Sequence, residues 1–272
     1  MTPAIRYAEV NDITLAWQER GSGAPLILIN GLASTMDTWN PPLLDALAKE
    51  YHVIVFDNRG TGYSTDSGKP FSIPLFAKDA DALMENLGIR RAHVLGLSMG
   101  ASIAQELVLE HPERVDHLIL LAGTCGGREG IPARPDIWAK LTDRSGTVPE
   151  IIARMVSLLF PAPWLATHDA MKYCPEVNET TSEKNGARQA DAFRSWQGSW
   201  DRLPRIHRPT LVITGTEDVI IDPKNSRILA RQIPGARLVE VPGAGHGLQY
   251  QEPEHLARAV LAFLGRTIRY KG

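Results

Sequence analysis

The sequence predicts an α/β fold in which a mostly parallel central sheet carries helices on both faces and a helical cap is inserted between two strands. Continuous apolar runs such as Pro25–Asn30 and Thr210–Gly215 have the pattern of strands buried on both faces, and helical patterns alternate with them. The alternation stops between residues 123 and 208, where no buried strand run occurs. We therefore expect a core built from residues 1–122 and 209–272, with a cap segment of residues 123–208 between its two parts.

The elements follow in order along the chain. Residues 5–10 and 13–18 alternate in polarity and predict a hairpin that turns at Asn11-Asp12. Strands are then predicted at residues 25–30, 52–56, 92–95, 116–121, 210–215 and 237–241, and helices at residues 43–50, 77–87, 101–109 and 253–264. Gly88 marks the end of the second of these helices, because glycine is favoured just after a helix.

Composition and charge argue against several classes of function. The chain has 272 residues and a formal net charge of −2, which gives no electrostatic reason to bind nucleic acid or an anionic membrane surface. No apolar run approaches the roughly 20 residues that span a bilayer, and the charged N-terminal region is unlike a secretory signal. The two cysteines, Cys125 and Cys174, form no CxxC or His/Cys cluster. They predict no disulfide framework and no metal site, and favour a cytoplasmic location.

The segment Gly96–Gly100, Gly-Leu-Ser-Met-Gly, matches the G-x-S-x-G nucleophile elbow. A strand-like run precedes it and a helix-like run follows it, as the motif requires. The two glycines would let the helix pack closely on the strand, while the strained turn would push the Ser98 hydroxyl outward. The alternative for Ser98 is a helix N-cap, whose oxygen accepts a backbone N–H.

A serine hydroxyl becomes an effective nucleophile only when a neighbouring base takes its proton. Of the eight histidines, His246 is the candidate base, because its glycine-rich loop follows the last strand and can hold the imidazole over the sheet edge. The alternative is an ordinary exposed loop histidine. The orienting acid is expected at Asp218, just after the strand that ends at Gly215. Asp222 is its rival, although an aspartate before Pro223 is typical of a helix start.

The predicted site also needs donors for an oxyanion and a pocket for substrate. The backbone N–H groups of Met99, after the serine, and of Leu32, in the loop after the third strand, are the candidate donors. The cap segment holds four of the six tryptophans, so we expect its inner face to shape an apolar pocket. The alternative is a peripheral helical layer that buries its own aromatic side chains. The pocket is expected to include Asn30, Gly31, Trp138 and Trp164.

Together these residues resemble the α/β-hydrolase fold superfamily over nearly the whole chain. The resemblance rests on Asn30-Gly31, residues 57–64, the elbow Gly96–Gly100, residues 215–218 and residues 243–246. The order serine, aspartate, histidine is the order of that superfamily. Many relatives carry histidine where this chain has Asn30, but an asparagine side chain can still form hydrogen bonds within the loop. Within the superfamily, the chain is most similar to small bacterial esterases and lactonases, including enol-lactonases and acyl-homoserine lactonases.

The resemblance implies a serine hydrolase of carboxylic esters or lactones, N-acyl-homoserine lactones among them. It would act on a small molecule through the triad Ser98, Asp218 and His246, without a cofactor. A second hypothesis keeps the triad but cleaves a carbon–carbon bond of a diketone-type substrate, whose carboxylate Arg128 or Arg134 would bind unless these are surface arginines. A third is a ligand receptor of the same fold that signals through its cap.

Overall fold

An eight-stranded sheet organises residues 3–265, which the computed structural model describes. Its strands are β1 Arg6–Val10, β2 Ile13–Arg20, β3 Ala24–Ile29, β4 Tyr51–Phe56, β5 Ala92–Leu97, β6 Val115–Leu121, β7 Thr210–Gly215 and β8 Arg237–Val241. Their spatial order is β1-β2-β4-β3-β5-β6-β7-β8. In the run β4-β3-β5-β6-β7-β8, every pair of adjacent strands is parallel. The β1–β2 and β2–β4 pairs are antiparallel, so the predicted mostly parallel sheet is confirmed.

Helices cover both faces of the sheet. They are α1 Pro41–Leu47, α2 Ile73–Asn86, α3 Met99–Glu110, α4 Pro135–Thr142, α5 Val148–Leu159, α6 Ala162–Leu165, α7 Glu183–Arg194, α8 Lys224–Gln232, α9 Leu248–Gln251 and α10 Pro253–Gly265. Side chains alternate across β3, so Ile27 and Ile29 pack in one apolar cluster with α2 and α3. Leu26 and Leu28 pack in a second cluster with α1 and α10. This two-sided burial explains the uninterrupted apolar run of the strand.

Helix α2 begins four residues before its predicted start at residue 77. The Ser72 hydroxyl accepts the Leu75 N–H at 3.2 Å, and Pro74 lies in the first turn. Both features stabilise a helix start. The predicted start was too late, because Ile73 and Phe76 already lie on the buried face that continues with Ala77 and Ala80.

The cap segment, residues 123–208, contains α4 to α7 and no strand among its residues, all of which the structure describes. It leaves the sheet after β6 and returns at β7, so it lies at the edge where the parallel strands end. Ile137 and Leu158 of this segment pack with Ile220 and Ile221 of the core in a small apolar cluster. Across residues 3–265, no helix combines the length and apolar character needed to cross a membrane.

Candidate active site

Ser98 lies in the sharp turn between β5 and α3. Its φ of 57° and ψ of −118° are strained for a residue with a side chain. The Ser98 N–H donates to the Leu121 carbonyl at 2.9 Å, and the Ala101 N–H donates to the Ser98 carbonyl at 2.9 Å. The Ser98 side chain makes no capping hydrogen bond to α3. The N-cap alternative is therefore not realised in this structure.

The two glycines of the elbow are required by close backbone contacts. A Cβ atom on Gly96 would overlap the Gly100 carbonyl, and one on Gly100 would overlap the Ile29 carbonyl. Helix α3 thus packs directly on the backbone at the ends of β3 and β5. The steric role predicted for these glycines is confirmed.

His246 and Asp218 form a buried pair. The His246 Nδ1 atom lies 2.7 Å from Asp218 Oδ2, and the two residues are 9% and 5% exposed. Asp218 Oδ1 accepts the backbone N–H groups of Ile220 and Ile221, both at 2.9 Å. Each carboxylate oxygen therefore has a partner, which fixes the carboxylate against the imidazole. The contact assigns Nδ1 to Asp218 and leaves Nε2 as the ring nitrogen available for chemistry.

Backbone contacts hold the two loops that carry this pair. The Glu217 N–H donates to the Ala244 carbonyl at 2.9 Å, which ties the loop of the aspartate to the loop of the histidine. The Gly247 N–H donates to the Leu159 carbonyl of α5 at 2.8 Å. The rival Asp222 instead accepts the Lys224 N–H at 2.9 Å, at the start of α8. The structure therefore brings Asp218, rather than Asp222, to His246.

The Asn30 side chain stabilises the loop after β3 through hydrogen bonds to residues of the same loop. Its Nδ2 donates to the Thr35 carbonyl and to Thr38 Oγ1, both at 2.7 Å, and its Oδ1 accepts the Gly31 N–H at 2.9 Å. A Cβ on Gly31 would lie 3.2 Å from Ser98 Cβ, so the loop passes directly over the serine. Asparagine thus organises this loop through its own hydrogen bonds.

The amides of Leu32 and Met99 are the predicted oxyanion donors. Within residues 3–265, neither amide has a hydrogen-bond acceptor. Met99 is the first residue of α3, where backbone N–H groups lack partners in the helix and the helix dipole favours negative charge. Leu32 and Ser98 lie together on the wall of a cavity. The two amides therefore stay the predicted donors for an oxyanion formed at the serine.

Asp57 supports the same loop from the end of β4. Its carboxylate accepts the Met36 N–H at 2.6 Å and the Tyr63 N–H at 2.9 Å. Burial raises the pKa of Asp57 to about 6, although both hydrogen bonds favour the ionised form. The side chain links the loop after β3 to the loop after β4.

A cavity of about 490 Å³ opens beside Ser98, between the core and the cap segment. Its walls are mostly apolar. Besides Ser98 and Leu32, they include Thr124, Ile131, Pro132, Ala133, Trp138, Leu141, Phe193, Arg194, Trp196, Ile220 and Ile221. Sequence reasoning missed Ile220 and Ile221, although their position two and three residues after Asp218 is a signal that could have found them.

The four predicted pocket residues occupy different places. Trp138 lies on the cavity wall, and its ring is 6.4 Å from that of Phe193. Trp164 does not line this cavity, because its ring stacks between Phe160 and His168 at 4.7 and 4.4 Å. Asn30 and Gly31 also lie off the cavity wall, in the loop that presents Leu32 to it.

The two arginines considered for carboxylate binding are surface residues. The Arg128 side chain is 95% exposed and lies 3.5 Å from Glu129. The Arg134 side chain is 74% exposed and pairs with Asp136 at 2.6 Å. Neither lines the cavity beside Ser98. The surface alternative named for these arginines is the one observed.

Comparison with known proteins assigns the family. A family model described as alpha/beta hydrolase fold matches residues 24–253, so the chain belongs to that family. A protein of Azorhizobium caulinodans, provisionally named carbamate hydrolase RutD, is 30% identical over 263 residues, covering 95% of this chain and 98% of its own. The poly(3-hydroxyalkanoate) depolymerase of Ectopseudomonas oleovorans is 27% identical over 246 residues, covering 88% and 84%.

A solved structure extends the comparison to the fold. The enol-lactonase from Burkholderia xenovorans LB400 is 26% identical and matches with a TM-score of 0.83, covering 96% of this chain and 100% of that one. The family resemblance inferred from the sequence is confirmed, and the protein is a hydrolase of the α/β-hydrolase fold.

Proposed function

We propose that this hydrolase cleaves carboxylic esters or lactones through an acyl-enzyme formed on Ser98. The observation that carries the proposal is the buried 2.7 Å contact between His246 Nδ1 and Asp218 Oδ2. It lies at the sheet edge where β5 also ends in the strained Ser98 turn. A nucleophile, a base and an orienting acid, each placed after the end of a parallel strand, are the groups that acyl transfer requires.

In the proposed reaction, His246 Nε2 takes the proton from Ser98 Oγ as this oxygen attacks the substrate carbonyl. Asp218 holds the Nδ1–H tautomer of His246 and stabilises the imidazolium that forms. The amides of Leu32 and Met99 bind the tetrahedral oxyanion. The imidazolium then protonates the leaving alkoxide, and the acyl group remains on Ser98.

Water completes the cycle. His246 removes a proton from a water molecule, which attacks the acyl-enzyme carbonyl; the carboxylic acid leaves as the imidazolium returns the proton to Ser98 Oγ. With a lactone, the alcohol released by ring opening stays tethered to the acyl group until this step. A single active site therefore accommodates both substrate classes, which differ only in whether the leaving alcohol departs.

The lining of the cavity favours a substrate with an apolar acyl chain. Aliphatic and aromatic side chains form most of its walls beside Ser98, and such a surface favours binding of a hydrocarbon chain. The similarity to an enol-lactonase and to a poly(3-hydroxyalkanoate) depolymerase supports the same substrate class. N-acyl-homoserine lactones combine a lactone with an apolar chain and belong among the substrates to test.

The test is turnover of p-nitrophenyl esters of increasing chain length and of N-acyl-homoserine lactones of matching lengths, with ring opening followed by proton release. We expect Ser98→Ala to lower kcat at least about 10⁴-fold while the protein stays folded. Ser102→Ala is the matched control, because Ser102 is a buried serine of α3 whose hydroxyl has no partner among the described residues. Its turnover should equal that of the wild type.

Each outcome has a definite meaning. Turnover of lactones in preference to esters would identify a lactonase, and turnover of esters alone would identify a carboxylesterase. Full activity of Ser98→Ala would overturn the mechanism. A folded wild-type protein that turns over neither class would overturn the proposed substrate chemistry.

A further inference from the structure

A fully buried side chain of the cap segment contacts the loop after β3, which carries Leu32. Gln189 of α7 places Oε1 2.8 Å from the Ala33 N–H and Nε2 2.6 Å from Thr61 Oγ1. Because an N–H can only donate, the amide oxygen must face Ala33 and the amide nitrogen Thr61. The Gln189 side chain therefore joins the cap segment to the loops after β3 and β4 in one defined orientation.

Ala33 adopts a backbone conformation that alanine avoids. Its φ is 54°, and it lies third in a turn that the Ser34 N–H closes by donating to the Gly31 carbonyl at 3.3 Å. Leu32 precedes it without a positive φ, which is the pattern of a type II turn, and this turn prefers glycine at its third position. Rotation of the peptide between Leu32 and Ala33 would relax the strain. Within the turn, the Ser34 hydroxyl donates to the Leu32 carbonyl at 3.3 Å, and further contacts from outside the turn hold the same peptide.

The cap segment supplies those contacts at both polar groups of Ala33. Gln189 accepts its N–H, and the Thr181 hydroxyl donates to its carbonyl at 3.0 Å. Both partners lie about 150 residues further along the chain. Rotation of the peptide would direct the Leu32 carbonyl toward the Gln189 oxygen, where two acceptors would face each other. The Gln189 amide thus selects the strained form of the turn.

We propose that Gln189 is a positioning residue that holds the oxyanion donor Leu32 in its productive place. The inference rests on the proposed function, because it assumes that the Leu32 N–H binds the oxyanion. The Gln189 side chain does not line the cavity beside Ser98; it acts on the peptide between Leu32 and Ala33, which follows the Leu32 N–H in the same turn. The contact that docks the cap segment on the core then also positions the Leu32 N–H. Loosening the cap segment would therefore lower kcat as well as weaken its contacts with substrate.

The test replaces Gln189 by leucine, which keeps the approximate size of the side chain and removes the acceptor. Loss of a complete oxyanion donor costs about 10²–10³ in kcat, so we expect a displaced donor to cost about 10–100-fold. KM for the best p-nitrophenyl ester should change less than about threefold, because the cavity wall is intact. A boronic acid, whose tetrahedral adduct on Ser98 mimics the oxyanion, should bind more weakly by the same factor as kcat.

Two further variants separate positioning from stability. Gln189→Glu keeps an acceptor for the Ala33 N–H, but its second oxygen would face the Arg59 carbonyl that Nε2 now approaches at 3.4 Å, so its kcat should lie between those of the wild type and Gln189→Leu. Arg188→Ala is the matched control, since this neighbouring α7 residue pairs with Asp66 at 3.0 Å and its hydrogen bonds go to Asn185 and Lys69 rather than to residues 31–34. It loosens another contact between cap and core, and its kcat and boronic acid affinity should stay near those of the wild type.

A kcat of Gln189→Leu within twofold of the wild type would overturn the inference, as would an equal loss in Arg188→Ala. If Gln189→Leu fails to fold, Thr181→Val removes the other contact to Ala33. It should lower kcat and boronic acid affinity together, and no change in either would overturn the inference. Ser98→Ala keeps the two proposals distinct: its full activity would overturn the serine mechanism, whereas its inactivity beside a normal Gln189→Leu would reject only the positioning role.

Discussion

At Asp218, a single carboxylate uses both oxygens, one for His246 and one for the backbone amides of Ile220 and Ile221. An amide in its place has only one acceptor. The backbone donors would bind that oxygen, and the NH₂ group would face His246 Nδ1. The imidazole would then have to accept at Nδ1 and carry its hydrogen at Nε2, which is the wrong tautomer for a base toward Ser98.

We therefore expect Asp218→Asn to lower kcat about 10⁴-fold with little change in Tm. Asp222→Asn is the matched control, because an asparagine oxygen can still accept the Lys224 N–H at the start of α8. Its kcat should stay within about twofold of the wild type. Steady-state kinetics of both variants measure the difference, and the reverse order would transfer the role of the acid to Asp222.

Among the secondary-structure elements, the strand–turn–helix unit around Ser98 requires glycine at two positions, 96 and 100. Gly96 and Gly100 let α3 lie against the backbone of β3 and β5, and this contact directs the turn toward the cavity. The motif could be predicted from the sequence because its five residues carry the whole steric requirement. Its outward-facing hydroxyl then follows from local geometry.

Gly100→Ala should destabilise the protein by about 3 kcal/mol, because the new methyl group would overlap the Ile29 carbonyl and push α3 off the sheet. Gly186→Ala is the matched control on a helix. Its Cβ would lie 3.8 Å from Ala33 Cβ, an ordinary contact, so better helix propensity should stabilise it by about 0.5–1 kcal/mol. Urea unfolding measures both free energies. Equal stability of Gly100→Ala and wild type would contradict the packing argument.

In the complete fold, the candidate site is the cavity beside Ser98, which lies between the core and the cap segment. The core supplies Ser98, Leu32, Ile220 and Ile221, while the cap segment supplies the aromatic wall that includes Trp138. The division of the chain into two core parts and a cap domain stays a prediction. Substrate preference should depend on residues of both parts, because both border the same cavity.

Trp138→Ala should enlarge the cavity and shift preference toward longer acyl chains. We expect kcat/KM for a long-chain ester to rise about tenfold relative to a short-chain ester, within the range for added methylene contacts. Trp164→Ala is the matched control, because this half-buried tryptophan of the cap segment stacks on Phe160 and His168 away from the cavity. Its chain-length profile should match that of the wild type. An unchanged profile in Trp138→Ala would show that the acyl chain lies elsewhere.

The order of the strands along the chain, the elbow at Ser98 and the candidates Asp218 and His246 could all be predicted before folding was considered. Each has a local signature, since apolar runs, glycine spacing and loop position involve only neighbouring residues. The place of Trp138 on the cavity wall and the contact of Gln189 with Ala33 are visible only in the folded chain. The Gln189 contact joins residues 156 positions apart, and the cavity wall brings together residues from Leu32 to Ile221, so neither leaves a pattern in the local sequence.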